Sequence, residues 1–377
     1  MVRNDGSKNP RVKPADIIRR MAGGFAATQV LNTAAKLAVA EHLASGPRSS
    51  ATLSRTLDVH PQALYRFLRL MVVLQLLTEE ADGSFALTPL GHLLCADHPE
   101  TMRDLIVYWG EINYPTAQAM EHSVRTGRPA FDKVFGAPFF EYFAQHLETG
   151  RLFNRVMAEI TKGHMPAIVA AAAATACSAF ARAKTVVDVG GGTGLLLATI
   201  LSAHQHLRGV LLDTPAVIDD ARSRLEKFTD RLELIAGDIL AGPLPRYRDL
   251  YLLSNVIHDW DDERAVTILR NCRKAMTADA RLLVIEEIMP TRVADAPDTI
   301  ANDFAMLLLT GGKERTAQEY RGLLDIAGFQ IARHIPLNAL GERTGGWAML
   351  EAKRSIGKST TNGPRSGRPP SLKRIAA

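Results

Sequence analysis

The stretch that most constrains this chain is "KTVVDVGGGTGLLLATILSAH", residues 184–204. Branched apolar residues read as a buried strand, and a leucine-rich helix follows. Between them stand Gly190, Gly191, Gly192 and Gly194. Glycines there let the backbone turn tightly and approach a ligand with no Cβ in the way. The rhythm set here persists. "RGVLLD", "LELIAGD", "DLYLLSNVI" and "ARLLVIEEIM" read as strands with helical segments between them, and "FQIARHIPL" and "GGWAMLEAKR" as two closing strands. Such alternation predicts an α/β fold, a Rossmann-like, mostly parallel sheet of seven strands covered on both faces. It spans residues 183–354. The glycine loop then lies at the carboxyl edge of the sheet, where open α/β folds bind ligands.

The loop is not a phosphate-gripping P-loop, since no Lys-Ser/Thr follows it. A dinucleotide fingerprint wants a further glycine where Leu195 stands. Two carboxylates narrow the ligand. Asp213 ends "VLLD" and Asp238 ends "LIAGD", on the edge that carries the glycines. Asp213 is placed to accept hydrogen bonds from ribose hydroxyls, and Asp238 to accept from an adenine amino group. A nicotinamide enzyme has little use for the second carboxylate. A nucleoside cofactor without pyrophosphate, such as S-adenosylmethionine, explains both. The competing reading is that each aspartate merely caps the next helix.

His258 stands in "SNVIHDWDD", where an apolar strand gives way to acid. It reads as a strand-end filler, a metal ligand or a base. A metal is disfavoured, because no second His or Cys stands at ligand spacing. A base fits, since an imidazole with a pKa of about 6.5 is largely neutral at pH 7. Glu286, in "LLVIEEIMP", and Glu314, in "GGKERT", are the carboxylates available to orient it. Asp261 or Asp262 can cap the following helix.

A chain of 377 residues leaves room for a second unit. Residues 16–99 read as helix, helix, helix and a hairpin around Asp82-Gly83, a winged-helix pattern. Ser50 or Thr52 is a candidate cap and Pro61 suits a first helical turn. The would-be recognition helix holds Arg66 and Arg69 but is otherwise Leu, Val, Phe and Met, which points to dimerisation rather than nucleic acid. Residues 100–182 read as a helical linker, with "GRPAFDKVFGAPFFEYF" irregular and aromatic. Residues 1–15 and 355–377 read as disordered tails, and the second supplies much of the net charge of +5. No apolar run reaches membrane-spanning length, and residues 1–15 lack a secretory pattern. Three scattered cysteines fit a reducing, cytoplasmic setting.

From about Phe153 to Lys353 the chain resembles the S-adenosylmethionine-dependent O-methyltransferases of the plant caffeic acid/hydroxyindole type, which also occur in bacteria. "DVGGGTG", "LLDTPAVI", "AGDIL", "NVIHDWDDE", "EEIMP" and "DFAMLLLTGGKERTAQEY" carry the likeness, in family order and spacing. The resemblance implies that Gly190 and Gly192 lie against the cofactor and Asp213 holds its ribose. Asp238 and Ile239 frame the adenine, and His258 is the base with Glu286 and Glu314 beside it. Met157 and Met306 resemble methionines that sandwich a flat acceptor, and Phe153 is a further lining residue; core packing is the alternative for the methionines. It also implies a homodimer, in which the amino-terminal unit lends a wall to the partner's acceptor pocket. Ser254 stands where plant members carry a lysine near the adenine, so that edge of the cofactor site relies on other contacts. The loop between Met306 and Gly311 is shorter than in plant enzymes, and their acceptors do not carry over. The expected function is methyl transfer to a small, hydroxylated, aromatic acceptor, without metal. The alternatives are transfer to nitrogen or non-methylating chemistry on the same fold, a ligand-sensing DNA-binding regulator, and a nicotinamide dehydrogenase.

Overall fold

The computed structural model describes residues 13–173, 179–337 and 346–355. Most of both tails and the middle of the alanine-rich run, Cys177 included, lie outside the described residues. Pro14 and Ala15, which the sequence assigned to a tail, instead open a helix, Pro14–Ala22.

The amino-terminal unit is helical with a small antiparallel sheet. Strand β1 (Arg48–Ser49) pairs with β3 (Ser84–Leu87), which pairs with β2 (Leu77–Glu79). Gly83 turns the hairpin at φ +78°, as the Asp-Gly pair predicts. In the helix Pro61–Val73, Leu64, Leu68 and Met71 recur at helical spacing and are buried. They meet Leu43, Leu53 and Phe85 in one apolar cluster. The cap of the helix Ser50–Thr56 is Ser49, one residue before the expected candidates. Ser49 is still extended, so its hydroxyl can accept from the Thr52 N–H at 3.2 Å.

The stretch expected to be irregular forms two short helices, Ala130–Phe135 and Phe139–Gln145. Pro129 and Pro138 immediately precede them, and Gly136 closes the first in the left-handed region. Their rings gather with Tyr108 and with Phe153 of the long helix Leu147–Ala173.

The carboxy-terminal unit is a seven-stranded sheet. Its strands are β4 (Thr185–Val189), β5 (Arg208–Asp213), β6 (Leu232–Ala236), β7 (Leu250–Ser254), β8 (Arg281–Glu287), β9 (Phe329–Pro336) and β10 (Trp347–Arg354). The order is β6-β5-β4-β7-β8-β10-β9. The five strands β4 to β8 run parallel, and β10 is antiparallel to both neighbours. Successive strand residues feed opposite faces. Tyr251 and Leu253 join a cluster with the helices Asp262–Ala275 and Ala317–Ile326. Leu250 and Leu252 join one with the helices Leu195–Ala203 and Pro215–Leu225. Both faces are therefore buried, which accounts for the near-unbroken apolar strands. Among the described residues, no helix is long and apolar enough to cross a membrane. Cys95 and Cys272 are buried free thiols.

Candidate active site

All five parallel strands end on one edge, and the site is built there. After β4 the chain turns through Gly190 at φ +70° and Gly192 at φ +58°, conformations that a side chain rarely adopts. The Gly192 N–H donates to Asp213 Oδ2 at 2.8 Å, which ties the loop to the end of β5. Asp213 Oδ1 accepts from the Thr214 N–H at 2.7 Å. Burial pushes the Asp213 carboxyl above the ordinary range. Asp238 lies two residues beyond β6 and accepts from the Leu240 N–H at 2.7 Å. Ile239 and Val256 close over Gly190: a Cβ there would stand 3.1 Å from Val256 and 3.9 Å from Ile239. Ser254 is the last residue of β7, opposite Ile285. The residues expected to hold an adenosyl group thus share one edge of the sheet.

Beneath the loop, Asp188 is buried and its Oδ2 has no partner. Burial, with Asp213 nearby, pushes its carboxyl up to about 7. A glycine cradle backed by acid suits a cationic nucleoside, whereas a phosphate would meet repulsion there.

His258 does not end the strand. It sits in a 3-10 turn, Ile257–Asp259, four residues past the end of β7. Glu286 of β8 shapes that turn: its Oε1 accepts the N–H groups of Val256 at 3.0 Å and Ile257 at 2.8 Å. From the other side the 310–316 loop closes in. The Lys313 N–H donates to the His258 carbonyl at 2.9 Å. A Cβ on Gly312 would overlap that carbonyl oxygen, so only glycine permits the approach. Arg315, wholly buried, donates to the carbonyls of Ile257 at 3.0 Å and Trp260 at 2.7 Å and pairs with Asp262 at 2.9 Å. Trp260 in turn stacks on Phe140 at 5.2 Å between centroids.

These contacts put Glu314 Oε1 2.7 Å from His258 Nδ1. Glu286 Oε2 is 4.0 Å from the same nitrogen, and Asp259 Oδ1 is 3.8 Å from Nε2. The His258 side chain keeps 12% exposure while Glu286 and Glu314 are fully covered. Among the described residues, Nε2 makes no hydrogen bond within the chain. Burial alone would lower the imidazole pKa, but Glu286, Asp259 and Glu314 outweigh it and raise it to about 10. Burial pushes Glu286 up to about 7 and Asp259 up to about 6. His258, Glu286 and Glu314 each offer a ligand atom, all within 4.8 Å of one another. Sequence spacing could not bring that trio together. Nδ1 is bonded directly to Glu314.

The acceptor side is less uniform. Phe153 and Met157 pack with Tyr108, Phe139 and Phe143, the Phe153 ring stacking on Phe143 at 5.0 Å. Met306, on the helix Pro297–Leu309, is half-buried and belongs to none of the four apolar clusters. Sequence reasoning missed Asn302, four residues earlier and so on the same helical face, which reaches Glu314 at 2.7 Å. It also missed the bracing by Arg315, whose only signal was its place beside Glu314.

A mostly parallel seven-stranded sheet with an antiparallel pair at one edge, a glycine loop and a buried imidazole on one rim defines a nucleoside-cofactor enzyme of Rossmann-like class. Comparison with known proteins makes this specific. Residues 118–330 match the O-methyltransferase domain model, and residues 20–97 the O-methyltransferase dimerisation domain. The phenazine O-methyltransferase of Lysobacter antibioticus is 37% identical over 85% of this chain and 93% of its own length. The 8-amino-8-demethylriboflavin N,N-dimethyltransferase of Streptomyces davaonensis is 33% identical, over 87% and 92%. A solved O-methyltransferase from neocarzinostatin biosynthesis, in complex with S-adenosylmethionine and 2-hydroxy-5-methyl naphthoic acid, superposes with a TM-score of 0.73. It is 30% identical, over 87% of this chain and 96% of its own. The chain belongs to the O-methyltransferase family, which takes its methyl group from S-adenosylmethionine.

Proposed function

We propose that the chain methylates a phenolic hydroxyl of a small aromatic acceptor, with His258 as the base and Glu314 and Glu286 orienting and charging it. The observation that carries this reading is the 2.7 Å bond from Nδ1 to Glu314, which leaves Nε2 as the ring nitrogen open to an acceptor oxygen. Val256 supports it further. Its side chain covers Gly190 and its N–H is held by Glu286, so one residue borders both cofactor cradle and base.

Gly190, Gly192, Asp213, Asp238, Ile239 and Ser254 would hold the cofactor, which supplies an activated methyl group. The surrounding carboxylates hold a proton on His258 before ligands enter. Only the neutral imidazole can act as the base, and its share grows as pH rises toward the raised His258 pKa. Neutral His258 would take the acceptor's hydroxyl proton on Nε2, leaving the oxygen ready to receive the methyl group that the bound cofactor would supply. A phenol with a pKa near about 10 is poorly ionised at neutral pH, so this transfer matters. Positioning does most of the rest. Met306 would lie against the acceptor ring, with Phe153 and Met157 behind it.

Transfer to nitrogen is the second reading, favoured by the relative named for N,N-dimethylation. A screen of phenols, naphthols and aromatic amines, read by a mass gain of one methyl group, separates the two. His258→Ala should lower kcat by about 10²- to 10⁴-fold, the usual range for general acid–base catalysis, with cofactor affinity little changed. Undiminished turnover on a phenol that the wild type methylates would refute the base.

A further inference from the structure

We propose that Asn302 is a positioning residue of the methyl-transfer site, sharing Glu314 Oε1 with the imidazole and thereby setting how tightly His258 keeps its proton. The inference rests on the reading of His258 as the base. It starts from an oxygen with two donors. Glu314 Oε1 accepts from His258 Nδ1 at 2.7 Å and from Asn302 Nδ2 at 2.7 Å. The other oxygen, Oε2, is buried and has no partner. The whole hydrogen bonding of the Glu314 side chain therefore passes through one atom, and Asn302 is the only donor to it besides the imidazole among the described residues.

Asn302 cannot easily turn away. Its amide nitrogen also faces Glu287 Oε2 at 3.4 Å. Two carboxylates on one side oblige the amide to present its N–H₂ there, because its carbonyl would be repelled. The same helix supplies two further ties. Thr299, one turn earlier, donates to Glu287 Oε1 at 2.6 Å, and Asp303 accepts the Glu314 N–H at 2.9 Å. From the helix that also carries Met306, Asn302 thus holds the Glu314 carboxylate and Asp303 its backbone, while Thr299 fixes the Glu287 carboxylate that the amide also faces.

The electrostatic consequence has a sign. An N–H aimed at Glu314 Oε1 draws on the charge that would otherwise act on the imidazolium. The groups facing His258 or its partners are Asp259 from its own turn, Glu286 and Glu287 from β8, Lys313, Glu314 and Arg315 from the loop, and Asp303 from the helix. Tyr108 lies beside Asp259, and Tyr320 beside Glu286 and Glu314. Removing the amide leaves Glu314 to the imidazole alone and raises the proton affinity of His258. A carboxylate in its place adds a like charge to the cluster and raises it further.

The test needs no acceptor. The ring of His258 is followed by ¹⁵N NMR in histidine-labelled protein saturated with S-adenosylhomocysteine, its signals assigned by their loss in His258→Ala. Asn302→Leu keeps volume and removes the donor, and Asn302→Asp exchanges donor for charge. The expected result is an alkaline shift of the His258 titration by at least about half a pH unit in the leucine variant and more in the aspartate variant, with S-adenosylhomocysteine affinity within about threefold of wild type. Kinetically, kcat on a phenol methylated by the wild type should fall about tenfold or more in Asn302→Leu. Titrations within about 0.2 unit of wild type in both folded variants would overturn the proposal. If His258→Ala keeps full turnover, the base assignment fails instead. If that variant is inactive while both Asn302 variants titrate as wild type, only the role of Asn302 falls.

Discussion

At the scale of single residues, charge placement decides the chemistry. His258 has three carboxylates within 4.0 Å of its ring nitrogens, and its proton affinity reflects them. Its folded pKa is raised, so the base form accumulates only as pH climbs toward about 10, and kcat/KM should rise across the neutral-to-alkaline range. Glu286→Gln tests the cause. The glutamine carbonyl can still accept from Val256 and Ile257, but the charge near Nδ1 is gone. The rise in kcat/KM should then begin at lower pH, in a rate profile measured with a phenol that the wild type methylates. The sequence named His258, Glu286 and Glu314 as a set because each follows or flanks a strand of one parallel sheet. It could not rank the carboxylates. Glu314 makes the direct bond and Glu286 shapes the turn, a division fixed by side-chain geometry 28 and 56 residues away.

At the scale of elements, glycines let two loops close on the site. The 310–316 loop reaches His258 only because Gly312 lacks a side chain. Gly312→Ala should push Lys313, Glu314 and Arg315 away, lowering kcat by about 10²-fold or more alongside a loss of stability of about 1–3 kcal/mol, the usual cost of overpacking. Turnover on a phenol and thermal melting read the two effects separately. The glycine loop rests on Asp188, a carboxyl pushed up to about 7 by burial. The stability its neutral form contributes is full below the unfolded value of about 4 and is lost as pH rises through about 7. Asp188→Asn, which cannot ionise, should therefore gain on wild type in melting temperature between pH 4 and 7 and hold that margin above it. A margin independent of pH would show that Asp188 has the same pKa in the folded and unfolded chains. Most elements were legible. The aromatic stretch at residues 127–143 was not, because two proline-started helices of six and seven residues are too short to establish a period.

Over the whole molecule, an apolar face at the start of the described residues remains uncovered. The helix Pro14–Ala22 buries no residue, and Ile18, Met21 and Phe25 are 65%, 71% and 61% exposed. They project from the edge of the unit that matches the dimerisation domain. A second copy would cover this face, and burial of about 25 cal/mol per Å² favours it. Replacing Ile18 and Phe25 together by aspartate should raise the monomer fraction in sedimentation velocity at micromolar concentration. An unchanged distribution would move the interface elsewhere. The winged-helix pattern was legible from periodicity and the Asp-Gly turn, and the exposed Tyr65, Leu70 and Val73 agree with a helix made to be covered by protein. What the sequence alone determined was the alternation of strands and helices, and with it the rim on which every loop residue must emerge, because parallel strands all end on one edge. Only the tertiary structure decided which rim residues touch. Val256 over Gly190, Asn302 on Glu314 and Arg315 under the His258 turn are contacts between segments distant in sequence, and packing, not periodicity, brings such segments together.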